Sequence, residues 1–205
     1  IVISILIGHT IDHSLVVAMD LYIVCIFVSE SIGNSPVITL VGVGYGVALG
    51  VILQSDNVLI MGHKMSDLDS VGSAVGVASI VKCFERRANI VIEENRTLAK
   101  SLIDWVKQDE SLGNVFVTPE KAANLVEENT LLIIVDTHTA KMAEDTYLCE
   151  ICKKKVIIDH HRKMVDYITD TVVSYHEPYA SSASELVTEL IQYILPTNAK
   201  LSPVQ

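Results

Sequence analysis

From residue 53 onward, short aliphatic runs alternate with longer segments of mixed polarity. The aliphatic runs predict strands at 57–63, 88–93, 114–119, 130–138 and 155–161. The segments between them predict helices at 69–87, 97–108, 120–129 and 146–154. Strands that alternate with helices of this length predict an α/β fold, with a mostly parallel, Rossmann-like sheet and helices on both faces.

The first 52 residues follow a different pattern. The runs 15–28 and 37–47 are β-like, and the turn-rich segment 29–36 leaves too little helical sequence between them for ordinary crossovers. We therefore expect 1–52 to be an incomplete, β-rich α/β segment and 53–205 to be the principal domain. We interpret the apolar stretch 1–28 as a buried segment of a soluble protein rather than a membrane span. The reason is that four polar residues interrupt it: His9, Asp12, His13 and Asp20.

Three of the predicted strands end in side chains that can bind metal ions. His63, Asp67 and Asp69 follow the first strand, Asp136 lies near the end of the fourth, and Asp159, His160 and His161 end the fifth. The carboxyl ends of parallel strands lie at one edge of a sheet, where open α/β folds bind their ligands. We therefore expect these distant clusters to become neighbours.

The side chains in these clusters indicate what such a site would hold. Carboxylate and imidazole ligands without thiolates favour Mn²⁺, Mg²⁺ or Fe²⁺ over structural zinc. A carboxylate such as Asp136 can bridge two ions about 3.5–4 Å apart, a geometry used for in-line displacement at phosphorus. Each cluster also has an ordinary explanation, such as a solvated turn, a helix cap or a buried histidine pair. Their joint occurrence after three aliphatic strands favours the metal site.

Charge and cysteine content narrow the functional classes. A net charge of −10 argues against general nucleic-acid binding, although a phosphate ligand remains compatible if metal ions supply positive charge. Cys149 and Cys152 form a CxxC pair without a second pair, which favours an apolar helix face over a metal or redox site. The cysteine pattern fits a reducing, cytosolic setting.

Three stretches resemble the first three motifs of the DHH phosphoesterase superfamily. They are GHKMSDLDSVGSAVG (62–76), LLIIVDTHT (131–139) and VIIDHHRK (156–163). Within this superfamily the chain looks most like the GdpP-type cyclic-di-AMP phosphodiesterases, a similarity that includes residues 175–194. The resemblance implies hydrolysis of cyclic di-AMP to pApA, in which two Mn²⁺ ions activate the attacking water and the ribose 3′-oxygen leaves.

The resemblance also implies roles for individual residues. His63 and Asp67 would bind one Mn²⁺, Asp69 and His160 would bind the other, and Asp136 would bridge them.

Two further residues would act beside the metal ions. Asp159 would orient the histidine pair, and His161 would stand near the scissile phosphate. Ser182 and Glu185 predict a capping box for a helix at 183–194. Ser181 and Ser182 are candidate substrate contacts beside the N–H groups that begin this helix.

The chain also departs from the family pattern. A fourth motif, an Asp beyond the 183–194 helix, and the DHHA1 subdomain are not found in it. Pieces of 1–52 resemble the degenerate GGDEF domain that precedes the DHH domain in this family. We therefore expect a longer parent, anchored in a bacterial cell membrane with its catalytic domain in the cytoplasm, and the sequence leaves a homodimer open.

Several other functions share these motifs. A DHH oligoribonuclease or pApA phosphatase has all three, and a family-II inorganic pyrophosphatase has the same metal cluster. A non-catalytic nucleotide-binding sensor with an incomplete metal site is the alternative outside the enzymes.

Overall fold

The computed structural model describes residues 18–19, 22–23, 40–195 and 201, with side chains from residue 47 onward. The first elements are β1 (Ala18–Met19) and β2 (Tyr22–Ile23), which pair antiparallel, and helix α1 (Leu40–Leu53). The elements that follow are β3 (Val58–Met61), α2 (Leu68–Cys83), β4 (Ala88–Val91), α3 (Lys100–Val106), β5 (Phe116–Val117), α4 (Pro119–Ala123), β6 (Leu131–Val135), α5 (Thr146–Ile151), β7 (Lys154–Asp159), β8 (Val173–His176) and α6 (Ala183–Ile194).

Strands β3 to β8 form one parallel sheet in the order β5–β4–β3–β6–β7–β8. The chain builds outward from β3 through β4 to β5, then returns to the other side of β3 with β6 and continues through β7 to β8. The boundary between β3 and β6 is therefore a topological switch point, where a crevice forms at the carboxyl edge of an open α/β sheet. The predicted mostly parallel α/β fold is confirmed.

The two central strands are buried along their whole length because helices cover both faces of the sheet. Alternate residues point to opposite faces, so Ile60 joins one core and Leu59 the other. The first core includes residues of α2, α3 and α6, and the second includes residues of α4 and α5. The aliphatic runs that predicted the strands are thus the centre of both cores.

Helices α2 and α6 pack closely on the first face. A Cβ atom at Gly76 would lie 2.6 Å from Cγ1 of Val187, so a larger residue at this position would force one of the two helices or the Val187 side chain to shift. The absence of a side chain at this position allows the two helices to approach closely. Their packing also brings the N-terminus of α6 beside the first turn of α2, where Asp69 lies.

The structure corrects the prediction for 37–47, which was β-like. Residues Leu40–Leu53 form a helix that crosses the expected boundary near residue 52. An apolar run has no polar alternation to distinguish helix from strand, and its length of 14 residues favours a helix. Strand β8 was not predicted, because its four residues are only partly buried and follow no aliphatic run.

Other expectations concern residues that the structure does not describe. His9, Asp12 and His13 lie outside the described part, and so does most of the segment that resembles a GGDEF domain. That resemblance remains a prediction. Among the described residues, no helix combines the length and the apolar character needed to cross a bilayer.

Candidate metal centre

The switch point brings the three predicted clusters together. His63 follows β3, Asp136 follows β6, and His160 follows β7. His63 Nε2 lies 3.3 Å from Asp136 Oδ2, and His160 Nε2 lies 3.5 Å from Asp136 Oδ1. In the sequence, His63 is 73 positions from Asp136 and 97 positions from His160. The three residues meet because β6 pairs with both β3 and β7.

Asp136 is the centre of this arrangement. Its side chain is 3% exposed, and its backbone adopts a left-handed conformation with φ 58°. Asp tolerates this region better than most residues, yet strained backbone of this kind costs about 1–3 kcal/mol and concentrates at functional sites. The backbone N–H of Asp136 donates to the carbonyl of Ile158 at 2.9 Å, and the carboxylate faces the histidines.

The Oδ1 atom of Asp136 is buried and has no hydrogen-bond partner among the described residues. A carboxylate oxygen in that state is costly unless a cation compensates it. Burial accordingly raises the pKa of Asp136, although the contact with His63 opposes that rise. The same contact raises the pKa of His63 against the opposing effect of burial.

Two groups of possible metal ligands share Asp136. The first contains His63, Asp67 and Asp136, and the second contains Asp136, His160 and His161. Within each group, one ligand atom per residue lies within 4.8 Å of the others. Oxygen and nitrogen donors without thiolates, arranged around an unpartnered buried oxygen, fit a divalent cation.

Asp67 joins the first group while also capping a helix. Its Oδ1 accepts the backbone N–H groups of Asp69 and Ser70, each at 3.0 Å, as the N-cap of α2. The same Oδ1 lies 3.9 Å from His63 Nε2. The cap fixes the carboxylate near His63.

A hydrogen bond to a backbone carbonyl orients the ring of His160. Its Nδ1 lies 3.3 Å from the carbonyl oxygen of Ala180, which accepts a hydrogen bond from that nitrogen. Nε2 is then left facing the carboxylates, 3.5 Å from Asp136 Oδ1 and 3.6 Å from Asp69 Oδ2. A backbone carbonyl that orients a ligand histidine in this way is usual in metal sites.

Asp69 lies beside His160 but also binds helix α6. Its Oδ2 accepts the backbone N–H of Ala183 and its Oδ1 accepts that of Ser184, both at 2.8 Å. Asp69 belongs to neither group that contains Asp136. The structure thus gives this residue a role in helix docking that the sequence did not predict.

Asp159 is fully buried and organises the histidine pair. Its Oδ1 accepts from His161 Nδ1 at 2.8 Å and from the backbone N–H of His160 at 2.9 Å. Its Oδ2 contacts Nδ1 of His138. Burial alone would raise the pKa of Asp159, but the hydrogen bonds from His138 and His161 outweigh that effect and lower it.

Sequence reasoning did not assign His138 to the site. Both ring nitrogens of this buried residue have partners, because Nε2 accepts the backbone N–H of Met164 at 2.9 Å. His138, Asp159 and His176 form a third group with ligand-like spacing, but hydrogen bonds already engage their side chains. The only signal in the sequence was the position of His138, two residues after Asp136.

The serines proposed to contact substrate lie at the start of α6. Ser182 caps the helix by accepting the N–H of Glu185 at 3.0 Å, which confirms the predicted cap. Glu185 reaches back to the backbone N–H and hydroxyl of Ser181, each at 2.7 Å, rather than to Ser182 as in a standard capping box. Substrate contact by Ser181 and Ser182 stays a prediction.

Comparisons with known proteins agree with these features. The DHH family, N-terminal domain, matches residues 57–204. Two relatives named cyclic-di-AMP phosphodiesterase GdpP come from Bacillus subtilis (strain 168) and Geobacillus thermodenitrificans (strain NG80-2). The first is 39% identical over 157 residues, which cover 76% of this chain and 24% of the relative. The second is 40% identical over 156 residues, with 75% and 24% covered.

A cyclic-di-AMP phosphodiesterase PdeA from Listeria monocytogenes serotype 1/2a (strain 10403S) is 37% identical over 144 residues, which cover 69% of this chain and 22% of the relative. The chain thus spans about a quarter of the length of these relatives. Among solved structures, an exopolyphosphatase-related protein from Bacteroides fragilis superposes with a TM-score of 0.59 at 19% identity, covering 74% of this chain and 43% of that one. That likeness concerns the fold alone. The resemblance read from the three motifs is confirmed by the match over residues 57–204, and this chain belongs to the DHH family.

Proposed function

We propose that this chain carries the DHH domain of an Mn²⁺-dependent phosphodiesterase that hydrolyses cyclic di-AMP to pApA. The observation that carries the proposal is the position of Asp136, whose carboxylate belongs to two separate groups of possible metal ligands. The names of the GdpP and PdeA relatives support the choice of substrate.

In the proposed site, His63 and Asp67 would hold one ion, Asp69 and His160 would hold the other, and Asp136 would be shared between them. Asp136 can take this role because Oδ2 faces His63 while Oδ1 faces His160. The ions, when bound, supply an activated water and positive charge for the phosphoryl oxygens.

That positive charge is required by the composition of the site. Asp67, Asp69 and Asp136 lie where an anionic phosphodiester must approach, and the chain carries a net charge of −10. Carboxylates this close to a phosphate repel it unless cations intervene.

His161 contacts the substrate in this proposal. Its Nδ1 donates to Asp159 at 2.8 Å, so Nε2 is the nitrogen left to face the substrate, where it can donate to a phosphate oxygen from the doubly protonated ring. About half of its side chain is exposed, whereas Asp136 below it is buried. Asp159 thereby fixes which nitrogen of His161 faces the substrate.

The proposal is tested by incubating the full-length protein with Mn²⁺ and, separately, with cyclic di-AMP, pApA and pyrophosphate. Chromatography should show cyclic di-AMP converted to pApA. Turnover of only pApA or pyrophosphate would assign the site to one of the other phosphohydrolases, and no turnover would leave the sensor alternative.

A binding experiment tests the bridging role independently of turnover. Calorimetric titration with Mn²⁺ should show two ions per wild-type chain and none for Asp136→Ala, because both ligand groups contain this carboxylate. Lys141 is exposed, so Lys141→Gln is the control and should bind Mn²⁺ as wild type does. Undiminished Mn²⁺ binding by Asp136→Ala would exclude the bridge.

A further inference from the structure

His138 is a buried residue with hydrogen-bond partners on several sides. It is 4% exposed, and three of its polar atoms have partners. Nδ1 contacts Asp159 Oδ2, Nε2 accepts the N–H of Met164, and the backbone carbonyl accepts the N–H of Ile168 at 2.9 Å. The residue thus joins the aspartate of the DHH motif to the segment 162–168 that follows the motif.

The partner at Nε2 determines the tautomer of His138. A backbone amide can only donate, so Nε2 must carry a lone pair and the proton of the neutral ring must lie on Nδ1. Nδ1 therefore donates to Asp159 Oδ2. The contact with Met164, three residues after the DHH motif, thereby sets the direction of this hydrogen bond.

The hydrogen bond from His138 leaves the second oxygen of Asp159 for the histidine pair. Oδ1 accepts the ring N–H of His161 at 2.8 Å and the backbone N–H groups of His160 and His161 at 2.9 and 3.3 Å. Loss of the donor at Oδ2 would remove one restraint on the buried carboxylate and so loosen the acceptor that His161 contacts. The two rings are therefore linked through one carboxylate.

We propose that His138 is a positioning residue that holds Asp159 and, through it, sets the tautomer and orientation of His161. This inference rests on the proposed function, in which His161 Nε2 meets the substrate. The role of His138 is therefore more than to hold the segment 162–168 in place. Its hydrogen bond to Asp159 is the functional contact, and its hydrogen bond from Met164 selects the tautomer that can donate to Asp159.

Two substitutions test the two ring nitrogens of His138 separately, because each can keep only one of the two hydrogen bonds. In His138→Asn the amide nitrogen lies near the position of Nδ1, so it can donate to Asp159, but the side chain is too short for Met164. In His138→Gln the amide lies near the position of Nε2 and can accept from Met164, but the donor to Asp159 is lost. Lys141→Gln is the matched control, because Lys141 anchors the same segment through an exposed ion pair with Asp166.

Hydrolysis of cyclic di-AMP gives the first readout. We expect His138→Gln to lower kcat roughly 10- to 100-fold with little change in KM, in the range found for residues that orient metal-site ligands. His138→Asn and Lys141→Gln should keep kcat within a few-fold of wild type. All variants are compared below the melting temperature of the least stable one.

Nitrogen NMR of the metal-free protein gives a second readout that needs no substrate. His161 should appear as the Nδ1–H tautomer in wild type and His138→Asn, and as a mixture in His138→Gln. Wild-type kcat and tautomer in His138→Gln would overturn the inference. Equal loss of kcat in both His138 variants with an unchanged tautomer would also overturn it, by assigning the residue to the loop alone. If wild type fails to cleave cyclic di-AMP, the proposed function fails, while the tautomer comparison still decides the role of His138.

Discussion

The carboxylate of Asp69 in the first turn of α2 accepts the backbone N–H of Ser184 at 2.8 Å, across 115 residues of sequence. Its other oxygen accepts the N–H of Ala183 at the same distance. These donors begin helix α6, where unpaired N–H groups and the helix dipole favour a negative charge. Asp69 therefore couples the candidate metal centre to the docking of α6.

This coupling predicts a stability cost for Asp69→Ala. We expect the metal-free protein to lose about 1–2 kcal/mol of unfolding free energy, since two helix-terminal donors lose their acceptor. Asp69→Asn keeps one acceptor oxygen and should lose less. Urea denaturation in EDTA measures both, with Ser182→Ala as a control for loss of the local cap alone. Equal stability of wild type and Asp69→Ala would show that the contact with α6 contributes nothing net.

The left-handed backbone of Asp136 predicts that Asp136→Gly is more stable than Asp136→Ala. Both variants lack the carboxylate, and only Gly adopts φ 58° without a Cβ penalty, so we expect a difference of about 1 kcal/mol. Thermal melts without metal measure it.

A matched pair at Asp69 gives the control for this comparison. Asp69 lies within α2, where Gly should be less stable than Ala by roughly 0.5–1 kcal/mol. The order of the two variants should therefore reverse between positions 136 and 69. The same order at both positions would show that the backbone at 136 is not strained.

Thiol labelling tests the expectation that the CxxC pair is an apolar helix face. Burial raises the pKa of Cys149 to about 12 and that of Cys152 to about 11, so both remain unreactive thiols near pH 8. Cys83 is exposed. Iodoacetamide should modify Cys83 in the native protein and the other two only after denaturation, as read by peptide mass spectrometry. Rapid labelling of Cys149 in the native protein would contradict the buried assignment.

The buried carboxylate of Glu144 predicts a pH-dependent difference between wild type and Glu144→Gln. Burial raises the pKa of Glu144 above 4.5, although hydrogen bonds from Glu93 and Arg96 oppose the rise. The charged form therefore destabilises the native state above the raised pKa, and this penalty disappears below 4.5.

The corresponding measurement compares urea denaturation of both proteins at several pH values. Stability of wild type relative to Glu144→Gln should increase as the pH falls through the raised pKa toward 4.5, because only wild type gains a proton on folding there. A constant difference would mean that the native environment leaves the Glu144 pKa unchanged. A difference that grows in the opposite direction would mean that the ion pair with Arg96 dominates.

The strands and the core of the site were predictable because they depend on local signals. Aliphatic runs mark strands buried on both faces, and parallel strands end at one edge, so His63, Asp136 and His160 were expected to meet. Helix α1 was not predicted, because an apolar run lacks the polar alternation that separates helix from strand. Strand β8 is short and depends on pairing with β7 rather than on its own pattern.

The role of His138 and the second role of Asp69 could not be read from the sequence. His138 acquires its function from Asp159 and Met164, which lie 21 and 26 residues away. Asp69 meets α6 because α2 and α6 pack against each other, with a close approach at Gly76. Both contacts result from packing between elements, which residue spacing does not encode.

The switch point also determines how the candidate site responds to local unfolding. His63 belongs to the half of the sheet that extends through β4 and β5, whereas Asp136 and His160 belong to the half that extends through β7 and β8. The candidate ligands are thus divided across a single strand boundary, and opening of either half would separate them. A cation bound by ligands from both halves would stabilise the pairing of β3 with β6. Metal binding should therefore increase the protection of the central strands against hydrogen exchange, and metal removal should decrease it.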